Sequence, residues 1–86
     1  MAIDIVIPDT VLKRLNDLPS EIRTKFWEQL ERLTDNPAHP DLRNEKLKGT
    51  GHWAFSITMN YRATYIRGKA AIIITAVGTH EEVLGK

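Results

Sequence analysis

The chain has 86 residues, of which 42% are hydrophobic and 27% are charged, and it contains no cysteine. This length and composition predict one globular domain, residues 1–86, with a thin core. The lack of cysteine excludes disulfides and cysteine-ligated metals. The sequence opens with no signal-peptide pattern and has no apolar run near the ~20 residues of a membrane span, so we expect a cytoplasmic protein with no membrane partner.

Charge is distributed unevenly along the chain, although the formal net charge is only +1. Acidic side chains are in excess over residues 1–42, whereas residues 43–80 contain a single acidic residue, Glu45. The basic residues of that second segment are Arg43, Lys46, Lys48, Arg62, Arg67 and Lys69. A basic segment is typical of a surface that contacts an anion such as phosphate. An unevenly charged surface without a ligand explains the same pattern equally well.

The first half of the chain predicts one strand followed by two helices. Isoleucines alternate with other residues over positions 3–7, which predicts a strand that ends at Pro8. Asp9 is a suitable N-cap for a short amphipathic helix, and the segment LPSE (18–21) ends that helix and begins another. The apolar stripe of the second helix consists of Ile22, Phe26, Leu30 and Leu33. The very short connection predicts an antiparallel helical hairpin.

The second half predicts strands after a loop over residues 36–51. Apolar and polar residues alternate over 53–58 and 61–66, and Arg67-Gly68-Lys69 has the composition of a turn. Residues 70–77 (AAIIITAV) are apolar on both faces, which predicts a central strand covered by helices. The order β-α-α-β-β-β therefore predicts an α+β fold: an N-terminal strand, then a two-helix hairpin packed on one face of a small antiparallel β-sheet.

Two residues of this second half, Arg62 and His80, are candidate catalytic residues. Arg62 alternates with Tyr61 and Ala63, so we expect it on the sheet face that the helices leave uncovered. His80 follows the end of the central strand and is expected at the rim of the same concavity. Arginine binds paired phosphate oxygens, and histidine exchanges a proton near neutral pH. RNA cleavage through the 2′-hydroxyl can use both groups and needs no metal.

Further basic residues are expected to hold RNA or its phosphates beside this pair. They are Arg43, Lys46, Lys48, Arg67 and Lys69. His39 and His52 have no carboxylates at metal-ligand spacing, so we expect neither a metal site nor a cofactor. The alternative interpretation is structural: Arg62 would be a solvated strand residue or an ion-pair partner, and His80 an exposed polar residue.

The order of motifs resembles the RelE/ParE superfamily of toxins from bacterial type II toxin–antitoxin pairs. The resemblance covers nearly the whole chain, and its most specific parts are KLKGTG (46–51), the Tyr61-Arg62 pair and Val-Gly-Thr-His (77–80). It implies the same fold and a cognate antitoxin as partner. It also implies one of two targets: mRNA cleaved on the ribosome, as in the RelE branch, or DNA gyrase inhibited without enzymatic chemistry, as in the ParE branch. We expect mRNA cleavage, with gyrase inhibition or antitoxin binding alone as the alternatives.

Carried over residue by residue, the resemblance implies that Arg62 acts on the scissile phosphate. His80 matches a position where RelE-type nucleases carry arginine or histidine. The chain departs from those nucleases at two places. Ala54 and Ser56 stand where lysines often precede the Tyr-Arg pair, and the tyrosine common after the Val-Gly step is replaced within HEEVLGK (80–86), by Leu84 or Lys86. Lys46 and Lys48 could replace the missing lysines in part, and both departures favour the gyrase alternative.

Overall fold

The computed structural model describes residues 3–84 of the chain. The elements in that range are β1 (Asp4–Val6), α1 (Asp9–Asn16), α2 (Ser20–Asp35), a 3-10 turn (Pro40–Leu42), β2 (Glu45–Lys46), β3 (Trp53–Ser56), β4 (Tyr61–Arg67), β5 (Ala71–Thr79) and α3 (His80–Leu84). The predicted α+β fold is confirmed, and so is the helical pair that follows the first strand. Two short elements, β2 and α3, were not predicted. None of the helices over residues 3–84 combines the length and the apolarity needed to cross a bilayer.

The strands form one sheet in the order β1-β5-β4-β3-β2. The strand β4 is antiparallel to both of its neighbours, β3 and β5, as the alternating pattern predicts. The strand β1 instead lies parallel to β5, with Ile5 opposite Ile72, so the sheet is mixed and not wholly antiparallel. Parallel neighbours require a long crossover, which here includes the two helices and three strands. The apolar strand β5 lies between β1 and β4, which confirms its predicted central position.

The core lies between the helical hairpin and one face of the sheet. It contains the apolar side chains Val11, Leu15, Leu18, Phe26, Leu30, Leu33, Leu42, Phe55, Ile57, Ala63, Tyr65, Ile72, Ile74 and Val77. Rings from three elements meet there: Phe26 lies 6.1 Å from Phe55, and Phe55 lies 5.9 Å from Tyr65, between ring centroids. Three of the four residues in the predicted stripe of α2 are buried, and Ile22 packs at its edge. Burial of this shared apolar area holds the hairpin on the sheet.

Polar anchors fix the segment between α2 and β3 to this core. The buried amide of Gln29 donates from Nε2 to the carbonyl oxygens of Asp41, at 3.1 Å, and Ser56, at 2.8 Å. The phenol of Tyr65 donates to Asn44 Oδ1 at 2.6 Å. Burial raises the pKa of Tyr65, so the phenol remains a donor at neutral pH. These bonds place residues 40–46 along the outer side of β3.

Candidate functional site

Arg62 lies at the start of β4, opposite Ser56 of β3 and Gly78 of β5. Its side chain is only 9% exposed. Nη2 donates to the carbonyl oxygen of Arg43 at 3.2 Å and lies 3.6 Å from Glu45 Oε1. Arg62 alternates with the core residue Ala63, so it lies on the expected sheet face, away from the helices, but its side chain is buried there and not open to solvent. The unpredicted strand β2 extends the sheet beyond β3, and the chain leading into it holds the guanidinium.

One donor of this guanidinium has no acceptor. The Nε atom of Arg62 is buried and has no hydrogen-bond partner among the described residues. Buried polar groups are nearly always paired, because an unpaired donor costs free energy once it has lost its water. Arg62 is thus a buried cation that is held through Nη2 and has one donor, Nε, that no described residue accepts.

Arg43 shapes this contact through its backbone. It has a φ of 47°, in the left-handed region that non-glycine residues rarely occupy. The residue ends the 3-10 turn, whose Leu42 is fully buried and whose start is capped by His39, with Nδ1 accepting from the N–H of Asp41. The anchored turn keeps the carbonyl oxygen of Arg43 against Arg62, while the Arg43 side chain stays exposed.

His80 is the first residue of α3, and its side chain is exposed. Its backbone N–H donates to the carbonyl oxygen of Asn60 at 2.9 Å, which ties the helix to the turn before β4. The helix begins with a capping box: Thr79 Oγ1 accepts from the N–H of Glu82 at 3.2 Å, and Glu82 Oε1 accepts from the N–H of Thr79 at 2.9 Å. His80 is therefore carried by an ordered helix end.

An ion pair connects this helix to the rest of the fold. The guanidinium of Arg14, on α1, donates to the carboxylate of Glu82. The backbone N–H of Thr79 lowers the pKa of Glu82, with Arg14 adding to the effect. Gly78 makes the contact possible, because a Cβ there would lie 2.8 Å from Glu82 Oε1. The sequence signal for α3 is THEE (79–82), the threonine and glutamate three residues apart that form a capping box.

The register of β4 and β5 brings Arg62 and His80 to the same end of the sheet. Gly78 lies opposite Arg62 and Thr79 lies opposite Tyr61, so His80 comes two residues after the neighbour of Arg62. Adjacent strands are about 4.8 Å apart. The two predicted catalytic residues, buried Arg62 and exposed His80, therefore lie at the same end of neighbouring strands.

The predicted phosphate-binding residues separate into two groups. Arg43 adjoins Arg62, whereas Arg67 lies at the opposite end of β4, about 17 Å along the strand at its usual rise per residue. The guanidinium of Arg67 lies 5.0 Å from the ring centroid of Trp53, and Lys46 is opposite Trp53 in the sheet. We call Lys46, Lys48, Arg67 and Lys69 the distal basic group. Arg67 therefore lies away from Arg62 and His80, and the binding of RNA or phosphate by the five basic residues stays a prediction.

The two strand positions that depart from the RelE pattern, Ala54 and Ser56, carry no cation. Ala54 is fully buried and Ser56 is 7% exposed. Leu84 is half-buried in the last turn of α3, and Lys86 lies outside the described residues. Over residues 3–84, no three His, Cys, Asp or Glu side chains form a group that could hold a metal ion. Sequence reasoning missed Glu45, Arg14 and Glu82 as residues that hold the two candidates in place.

Comparisons with known proteins identify the family. The sequence model described as "ParE toxin of type II toxin-antitoxin system, parDE" matches residues 5–84. The chain belongs to this toxin family. No curated protein sequence matches the toxin significantly.

Solved structures with the same fold include other toxins of the superfamily. The toxin is 25% identical to a chain of the archaeal RelE-RelB complex from Pyrococcus horikoshii OT3, with a TM-score of 0.77 over 92% of this chain and 96% of that one. It is 20% identical to a chain of the YoeB dimer from Staphylococcus aureus, with a TM-score of 0.77 over 93% of this chain and 99% of that one. It is 14% identical to YafQ from E. coli strain BL21(DE3), with a TM-score of 0.77 over 93% and 96% of the two chains. The predicted RelE/ParE superfamily membership is confirmed.

Proposed function

We propose that this toxin is a ribosome-associated endoribonuclease that cleaves mRNA without a metal, and that a cognate antitoxin silences it in the cytoplasm. The observation that carries the proposal is the state of Arg62. Its guanidinium is buried, held at one nitrogen and unpartnered at Nε, and it lies at the sheet end where His80 begins α3. Preorganised donors of this kind stabilise charge that develops in a transition state.

The roles of the two residues follow from the chemistry of RNA cleavage. The 2′-oxygen attacks the adjacent phosphorus, the bond to the 5′-oxygen breaks, and a cyclic phosphate remains. Negative charge grows on the phosphate oxygens, where Arg62 donates. One proton leaves the 2′-hydroxyl and another reaches the departing 5′-oxygen, and an imidazole can perform either transfer. His80 is exposed and is the histidine nearest to Arg62 in the register of the sheet.

The proposed partners follow from the family and the matched structures. The solved relatives include RelE-RelB and YoeB-YefM complexes, in which a toxin is bound to a second protein. An antitoxin that covers the Arg62 end of the sheet would prevent access of mRNA. Exposed apolar side chains such as Trp27, 47% exposed on α2, offer further contact area for such a partner.

Primer extension on translated mRNA tests the proposal, using the purified toxin and three variants. The parent should cut the message on the ribosome. Arg62→Met keeps the buried aliphatic packing and should lower cleavage by about 10²- to 10³-fold. His80→Gln should lower it by about 10²- to 10⁴-fold. His52→Gln is the matched control and should cut like the parent. A parent that arrests growth while translated mRNA stays intact would refute the nuclease assignment.

Inhibition of DNA gyrase is the second candidate function. The matched family description names ParE, and buried Ala54 and Ser56 occupy the strand positions where RelE-type nucleases often carry lysine. A gyrase supercoiling assay with the same proteins separates the two functions. Gyrase inhibition that survives in His80→Gln, together with uncut mRNA, would establish the binding-protein function, because no proton transfer is then required.

A further inference from the structure

We propose that a cleft beside Arg62 binds the nucleotide that adjoins the scissile phosphate, which rests on the nuclease function proposed above. The cleft has a volume of about 340 Å³ and lies between α2, the 3-10 turn and the end of β3. The residues that line it include Lys25, Pro40, Asp41, Arg43, Ser56 and Met59. Its volume is within the usual range for small-ligand sites.

The cleft shares two residues with the surroundings of Arg62. Ser56 lines it and is the β3 residue directly opposite Arg62. Arg43 also lines it, and the carbonyl oxygen of Arg43 accepts from Arg62. The guanidinium thus contacts one lining residue, Arg43, and Arg62 is paired in the sheet with another, Ser56. An RNA chain with one phosphate at Arg62 would then place its next nucleotide in the cleft.

The charges around the cleft favour a phosphate. Lys25 and Arg43 are its cations, and Asp41 is its one acidic residue among the described lining residues. Asp41 also lies in a surface ion pair, with its Oδ2 3.7 Å from Nη1 of Arg32. Lys25 lies 3.6 Å from Glu28 in a surface pair, and such pairs are weak enough for a phosphate to compete. The cleft thus keeps cationic side chains available to an anion.

An exposed methionine supplies the contact for a base. Met59 is 83% exposed, the largest value among the exposed large hydrophobic side chains of residues 3–84. It lies in the turn between β3 and β4, and Pro40 lines the same cleft from the 3-10 turn. A flexible, polarisable thioether accommodates flat groups of different shape. We infer that a base lies against Met59 while Lys25 binds its phosphate, so any base is accepted.

The buried amide of Gln29 fixes the floor of this cleft. Its Nε2 donates to carbonyl oxygens of the 3-10 turn and β3, and its Oε1 accepts from Arg32 at 2.8 Å. Every strong hydrogen-bonding group of this side chain is engaged. The floor is therefore preformed, and recognition comes from the rim residues Lys25, Arg43 and Met59.

Binding of a non-cleavable single-stranded RNA, with a 2′-O-methyl group at the reacting sugar, tests this site. Lys25→Gln should weaken binding about 3- to 10-fold at low salt and reduce the salt slope by about 0.7, the value for one phosphate contact on a single strand. Met59→Ser should weaken binding about 3- to 5-fold with an unchanged salt slope, because only base contact is lost. Lys13→Gln and Leu12→Ser, both at exposed positions on α1, are the matched controls.

A second probe isolates the base contact. An RNA that lacks the base next to the reacting phosphate should bind the parent as weakly as Met59→Ser binds the intact RNA. The two changes together should cost no more than either one alone, because they remove the same contact.

The outcomes separate this inference from the nuclease proposal. If the parent cuts mRNA but Lys25→Gln and Met59→Ser bind RNA like their controls, the cleft is not a nucleotide site and the nuclease function stands. If the parent neither cuts translated mRNA nor binds the probe, the nuclease proposal is wrong and the inference falls with it.

Discussion

We expect Glu45 to compete with phosphate for Arg62, so Glu45→Gln should strengthen anion binding. The Glu45 carboxylate lies 3.6 Å from Nη2 of Arg62 and is itself 55% exposed. Unit charges at this distance in a water-like dielectric attract by about 1 kcal/mol, and measured values for exposed pairs are about 0.2–1 kcal/mol. A bound phosphate must replace this attraction. Glutamine keeps the size of the side chain but not its charge, so affinity should rise by about 2- to 5-fold at low salt.

The same substitution should lower stability. Arg62 is 9% exposed and would lose the carboxylate that pairs with it among residues 3–84, so the free energy of unfolding should fall by up to about 1 kcal/mol. In a domain of this size that loss corresponds to a decrease in Tm of about 4–8 °C. Stability and phosphate affinity should thus change in opposite directions.

Fluorescence anisotropy of the non-cleavable RNA and thermal unfolding measure the two effects in one series. The gain in affinity should shrink at high salt, because screening weakens the Glu45–Arg62 attraction that the parent retains. Glu31→Gln, an exposed carboxylate on α2, is the control for net charge. Affinity that falls together with stability, or that rises equally in Glu31→Gln, would refute direct competition between Glu45 and phosphate.

Three further predictions concern the supports of the site. The lowered pKa of Glu82 means that its capping bonds stabilise α3 at neutral pH and are lost as the pH falls through that lowered value. The NMR signal of the Thr79 amide should therefore titrate with a midpoint below 4.5. A midpoint at 4.5 or above would show that the bond does not form in solution. In Gly78→Ala the new Cβ would lie against the Glu82 carboxylate and displace it. The cleavage rate should therefore fall by more than the decrease in Tm explains. An unchanged cleavage rate would show that the position of α3 is unimportant. Tyr65→Phe removes the bond to Asn44 and should lower the free energy of unfolding by about 1 kcal/mol in denaturant titrations, whereas unchanged stability would place that bond outside the solution structure.

The main elements of this fold could be predicted because their periodicity is strong. Alternation over β4 and the stripe on α2 identify the core side chains of both elements. The parallel pairing of β1 could not be predicted, since Ile3, Ile5 and Ile7 alternate in the same way in either direction. The strand β2 has two residues, both exposed, and therefore no periodicity. Missing β2 led directly to the wrong exposure for Arg62, because β2 and the residues before it cover that side chain.

The candidate site was predicted less completely than the fold. Arg62 and His80 were placed at one end of the sheet from strand order alone, and the register agrees. Arg67 and Lys69 are predicted to bind phosphate from their charge alone, and charge does not indicate that β4 carries Arg67 to the other end of the strand from Arg62. The capping-box sequence THEE (79–82) indicates the start of α3. The helix was not predicted, because the segment is short and lacks apolar periodicity.

The pairing of Asp4 with Ala71 has a consequence for synthesis of the toxin. A translating ribosome releases β1 first, but its partner in the sheet is made some 67 residues later. Contacts between such distant residues form late, because a long loop must close before they stabilise the fold. The sheet therefore cannot be completed until β5 has left the ribosome, and His80 follows β5. The proposed site at the Arg62 end of the sheet can therefore form only after almost all of the described sequence has emerged.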